Sequence, residues 1–161
     1  MKFYTVQSQG TMKRAREKGV YSSDKKHWFE PKAYPWMIEK YNEKLKKSAE
    51  SLLWLWDKKP NVDGSGWGET GKVMELIEVE LDEQEVVLSE FGLWHYVLNG
   101  WTIQLYENED IEMEKSWERI FDKELCESSE YLTCKRPEWQ YVAGEVPVEK
   151  MKVLKVFKCK E

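Results

Sequence analysis

Apolar and polar positions alternate along much of the chain, and the period changes from segment to segment. Residues 2–7, with Phe3, Tyr4, Thr5 and Val6, predict a first strand. Residues 11–18 predict a short helix, with Gly19 as its C-terminal cap, and residues 20–22 a brief second strand. The clearest helix is predicted over 31–47. There Tyr34, Met37, Ile38, Tyr41 and Leu45 fall on one face, and Pro31 and Pro35 sit near the first turn. Residues 52–56 predict an apolar strand, and its alternation puts Trp54 and Trp56 on one face. A glycine-rich loop follows over 60–71. Residues 73–81 predict a half-buried strand that turns Glu75, Glu78 and Glu80 to water. After a turn at 82–84 comes a strand over 86–88. Ser89 is the expected N-cap of a helix over 91–98 that ends at Asn99-Gly100. Residues 112–123 predict one more helix, with Met113, Trp117, Ile120 and Phe121 on its apolar face. Two closing strands, 139–146 and 151–157, flank a turn at Pro147. This order lacks regular βαβ units. It predicts an α+β fold in a single domain over 1–161, with mixed or antiparallel sheets and flanking helices.

Composition adds bulk and removes several function classes. The chain has 161 residues, one domain's worth, and carries nine Trp, eight Tyr and five Phe, far too much apolar bulk for a disordered chain. No apolar run reaches the 18 residues of a membrane span, and the opening residues lack the apolar stretch of a signal peptide. The expectation is a soluble cytoplasmic protein with no membrane partner. A net charge of −5 argues against generic nucleic-acid binding, and the cluster Lys13, Arg14, Arg16 and Lys18 reads as a solvated helix face. With three cysteines, two histidines and no Cys-x-x-Cys pair, no metal site is expected.

Familiar catalytic signatures are missing. The chain has no phosphate-binding loop of the Gly-x-x-x-x-Gly-Lys-Ser/Thr type and no Gly-x-Ser-x-Gly elbow. The Gly64 to Gly68 run precedes a strand rather than opening a helix, so it does not make a dinucleotide fingerprint; it reads as a surface loop or lid. Trp67 in that loop and Trp28 in another loop are the two tryptophans that no predicted core explains, so they are candidate ligand contacts. His95 is a candidate general base because its ordinary pKa lies near neutrality; its bland alternative is a packing residue on a helix. Trp54 and Trp56 read either as core or as an aromatic wall for a base or nicotinamide ring.

Five stretches carry a family resemblance: Tyr4-Thr5-Val6-Gln7, Tyr34-Pro35-Trp36-Met37, Trp54-Leu55-Trp56, 87–98 and 117–122. Together they resemble an uncharacterised bacterial family catalogued only as a domain of unknown function, with no established activity. The layout of 4–22 and of 138–157 is more distantly similar to ADP-ribosyltransferases. That likeness implies NAD as cofactor, held between the first strand and the penultimate one. Tyr21 would stack on nicotinamide, Thr5 and Gln7 would hydrogen-bond, and Trp56 and Trp67 would add aromatic contacts. Glu138 or Gln140 would contact the ribose and stabilise positive charge, with the two sharing one strand face. The chain departs from the superfamily pattern in having Thr5 where a His or Arg usually stands beside the tyrosine. Two functions are therefore expected in parallel. One is an ADP-ribosyltransferase-like enzyme that takes NAD or a nucleotide and a macromolecular target. The other is a non-catalytic module whose aromatic cleft holds a base, a peptide or a protein partner, with a purely protein-binding accessory role behind it.

Overall fold

A computed structural model describes residues 1–23, 32–129 and 136–161. Its two main sheets are antiparallel. The first is formed by β1 (Lys2–Ser8), β4 (Val73–Glu80) and β8 (Met151–Lys158) in the order β1-β4-β8. The second is formed by β3 (Leu53–Leu55), β6 (Trp139–Ala143) and β5 (Val86–Glu90) in the order β3-β6-β5. β2 (Val20–Tyr21) and β7 (Val146–Pro147) make a small third pair. Edges β1 and β3 meet where Tyr4 and Trp56 exchange two backbone hydrogen bonds of 2.8 and 2.9 Å. The α+β expectation with antiparallel sheets and flanking helices agrees with this architecture.

The second sheet is largely apolar and packs against a core on each face. Leu53, Leu55, Val86 and Ala143 face a core that also contains Phe3, Ile77 and Val79 of the first sheet. Met12 and Ala15 of α1 (Gln9–Lys18) close that core. The alternate residues Trp54, Val87 and Val142 face a helical layer. That layer is built from α2 (Ala33–Leu45), α3 (Phe91–Leu98), α4 (Met113–Trp117) and α5 (Lys123–Ser128). Trp36, Met37, Tyr41, Leu93, Trp94, Val97, Trp117 and Ile120 fill the space between. Burying side chains of this size stabilises the fold by about 1.5–3 kcal/mol each.

Helix ends follow local chemistry. Ser8 accepts from the Thr11 N–H at 3.1 Å, and Gly19 ends α1 at φ 81°, a backbone that side-chain-bearing residues avoid. Three expectations need correction. Ser89 does not cap α3: it stays in β5, and the Glu90 carboxylate accepts from the Leu93 N–H instead at 2.7 Å. The helix expected over 112–123 is α-helical only to Trp117 and tightens into a 3-10 turn over Glu118–Phe121; the Asp122 side chain then accepts from the Leu125 N–H and starts α5 afresh. Glu75 does not face water. It is buried opposite Gln7, and Arg16, expected to be solvated, makes a two-pronged ion pair with it. Among the described residues no helix is long and apolar enough to cross a membrane.

Candidate functional site

Between the second sheet and the helical layer lies a pocket of about 250 Å³. Its floor comes from the sheet. Trp54 and Trp56 project from one edge, as their alternation predicts, and Gln140 projects from the central strand. Its roof comes from Tyr34 of α2 and from Phe91, Trp94, His95 and Leu98 of α3. The i, i+3, i+4 and i+7 spacing on α3 brings those four side chains to one face of the helix.

Tyr34 packs edge to face on two tryptophans that are tilted against each other. Tyr34 meets Trp54 at 5.1 Å and 81° and Trp94 at 6.1 Å and 79°, while Trp54 and Trp94 lie 5.7 Å apart at 36°. Stiff rings in this arrangement leave open space that flexible aliphatic chains would close. His95 lines the pocket and is itself exposed to solvent. Its Nδ1 lies 2.9 Å from the Phe91 carbonyl oxygen, and its ring stands edge-on to Phe91 at 4.7 Å. A carbonyl only accepts, so the neutral imidazole carries its proton on Nδ1 and leaves Nε2 as an acceptor. Gln140 is buried, and its amide Nε2 donates to Ser89 Oγ at 3.1 Å. The Trp54 indole N–H is buried and has no acceptor; it is the sole orphan of its kind among the described residues. No Lys, Arg, Asp or Glu lines the pocket.

The residues expected to form one site fall into separate groups. Gln140, His95 and Trp56 share the pocket. Trp67 folds back from the glycine-rich loop and packs against Trp56 at 6.0 Å and 82°, one ring behind the lining. Glu138 is exposed and outside the pocket, and its backbone N–H donates to Glu90 Oε1 at 3.0 Å. It therefore does not share a face with Gln140, because regular strand geometry begins only at Trp139. Thr5, Gln7 and Tyr21 join one another instead. The Gln7 amide donates to Thr5 Oγ1 at 2.9 Å, and the Tyr21 hydroxyl donates to Gln7 Oε1 at 3.3 Å. Burial pushes the Tyr21 hydroxyl up to about 12, with a smaller push from nearby Tyr34. The expected cleft between β1 and β6 is thus two places: Thr5 pairs with Ile77 in the first sheet, and Gln140 pairs with Ser89 in the second. Trp28 lies outside the described residues. The pattern along the chain did not single out Tyr34, Phe91, Trp94 and Leu98 as site residues, because only tertiary packing turns them toward Trp54.

Residues 2–111 match the family model described as Domain of unknown function (DUF3841). The chain belongs to this family. Eight of the nine residues that line the pocket, from Tyr34 to Leu98, fall inside the matched segment; Gln140 lies beyond it. No curated protein and no solved structure matches the chain.

Proposed function

We propose that this DUF3841 protein is a binding module whose aromatic pocket takes one flat ring system. Support comes first from the lining, which gathers the rings of Tyr34, Trp54, Trp56, Phe91 and Trp94 around one space with no charged side chain among them. Ring walls from Tyr34, Trp54, Trp56 and Trp94 favour a planar aromatic guest. Size narrows the choice. Pockets for drug-sized ligands run from about 300 to 1,000 Å³, so about 250 Å³ suits a single ring system and not an entire dinucleotide. A nicotinamide or base end of a larger molecule fits the reading; enclosure of whole NAD does not. The chemistry favours binding over glycosyl transfer, since no carboxylate lines the pocket to stabilise a developing cation.

Saturation-transfer NMR with toluene, nicotinamide and uracil as single-ring probes tests this reading. Transfer to at least one ring is expected at millimolar probe. Trp56→Ala removes one wall and is expected to weaken binding by about 1–3 kcal/mol, the range for loss of an aromatic stacking partner. Absence of transfer to every probe would refute the proposal.

A further inference from the structure

β8 is the open edge of the first sheet. The opposite edge is closed, because Tyr4 of β1 bonds Trp56. Along its eight residues β8 pairs with β4 on one side and with no strand of the described residues on the other. Alternate residues of such an edge point N–H and C=O groups outward. Val156 and Val153 stand opposite Glu75 and Ile77, so all four side chains share one face. Glu75 and Ile77 are buried, whereas Val156 is 53% and Val153 40% exposed. The layer that covers β4 therefore stops short of β8.

Charge narrows what can cover this edge. The chain carries a net −5, yet four of the nine residues from 152 to 160 are lysine. Lys155 stands on the other face and reaches Asp63 at 2.7 Å. Lys152 and Lys158 are exposed and have no ion-pair partner among the described residues. Arg16, half-exposed over Glu75, adds a cation on the face that carries Val156.

We propose that the outer edge of β8 takes an extended acidic segment of a partner protein as a fourth strand. The main chain of that segment pairs with the outward N–H and C=O groups, and its apolar side chains cover Val153 and Val156. Its carboxylates meet Lys152 and Lys158. Lysines on an edge keep strands from pairing with their own kind, and the same charges select an acidic strand. A second β8 would double the lysines along one seam. A nucleic-acid backbone offers acceptors at its phosphates and no donor for the outward carbonyls. This surface is separate from the ring pocket and does not depend on it.

Fluorescence anisotropy of the full chain with a labelled peptide of alternating Glu and Val, eight residues long like β8, tests the assignment. Binding is expected at submillimolar protein in low salt. A copy of the peptide N-methylated at every residue keeps the charges and loses the main-chain donors. It is expected to bind at least about tenfold more weakly. Lys152→Glu with Lys158→Glu changes two exposed positions and is expected to weaken the parent peptide by about tenfold. Val153→Thr with Val156→Thr keeps β-branched side chains, and is expected to weaken it while leaving the charges in place. Equal binding of the plain and N-methylated peptides would overturn strand addition, leaving a patch for any polyanion. An oligothymidylate of the same length that binds more tightly than the peptide would overturn it in favour of nucleic acid. A free chain that sediments as a dimer, and as a monomer once Val156→Lys is introduced, would assign the edge to a second copy instead. Absence of peptide binding at millimolar protein would also overturn the proposal.

Discussion

Replacing Arg16 by Met tests whether the polar cluster at the end of the first sheet is structural. Glu75 is 2% exposed and Arg16 45% exposed, so the pair has one foot in the core and one in water. Removing one partner of a fully buried pair costs about 3–5 kcal/mol, and an exposed pair is worth about 0–1 kcal/mol. An intermediate cost of about 2–3 kcal/mol is expected for Arg16→Met, because the variant leaves a carboxylate buried beside Gln7 with no cation. For a domain of this length that corresponds to a fall in Tm of about 4–12 °C. Glu75→Gln keeps acceptor and shape while removing the charge, and is expected to cost less. The double variant Arg16→Met with Glu75→Leu leaves nothing charged behind and is expected to be more stable than Arg16→Met alone. Circular dichroism through urea and thermal transitions measures all four proteins. An Arg16→Met protein within about 0.5 kcal/mol of the parent, the scatter of ordinary surface substitutions, would refute the reasoning. So would an Arg16→Met protein that folds with unchanged Tm yet loses ring binding, since that result would move the cluster into the ligand site.

Two further outcomes follow from ionisation. Arg119 grips the Glu109 carboxylate with two bonds of 2.7 Å and holds its pKa down to about 2, well below the ordinary 4.5. The unfolded chain therefore takes up this proton first, so the stability from the pair is fully present above about pH 4.5 and is lost as the pH falls toward about 2. The difference in urea midpoint between the parent and Glu109→Gln is expected to shrink across that window, and a constant difference would contradict the assignment. Burial, with smaller effects from Glu90, Asp122 and Glu127, pushes the Cys126 thiol up to about 12. Iodoacetamide at pH 8 is expected to label Cys126 only when the protein unfolds, as peptide mass spectrometry would show; rapid labelling of the native protein would contradict it.

Local pattern exposed those parts of the fold whose cause is local. The spacing of Tyr34, Met37, Ile38, Tyr41 and Leu45 marks α2, and Gly19 marks the end of α1. Alternation puts Trp54 and Trp56 together, and they do share the pocket. What escaped detection depends on residues distant in sequence. The Glu90 carboxylate serves two backbone amides, those of Leu93 and Glu138, and the second lies across the sheet. No window around Ser89 contains that bond. Glu75 reads as a solvent-facing acid until α1 brings Arg16 over it. Trp67 reads as an exposed loop tryptophan until the loop returns it to Trp56. The apolar face expected over 112–123 is continuous in period, so the break at Asp122 leaves no mark in the periodicity.

Two tryptophans in the same layer differ in how the fold treats the indole N–H. Trp117 is buried between α2 and α4, and its indole N–H donates to the Trp101 carbonyl oxygen at 2.8 Å. Its neighbour Trp36 meets it edge-on at 5.5 Å, and Phe121 stacks on Trp36 at 17°. There the fold supplies both a ring partner and a hydrogen-bond partner. At Trp54 it supplies the ring partners, Tyr34 and Trp94, and withholds the hydrogen bond. Gln140, the polar group on the adjacent strand, is turned away to Ser89. A Phe at position 54 would fill much of the same space without a stranded donor. The indole therefore costs the protein stability that a simpler ring would not.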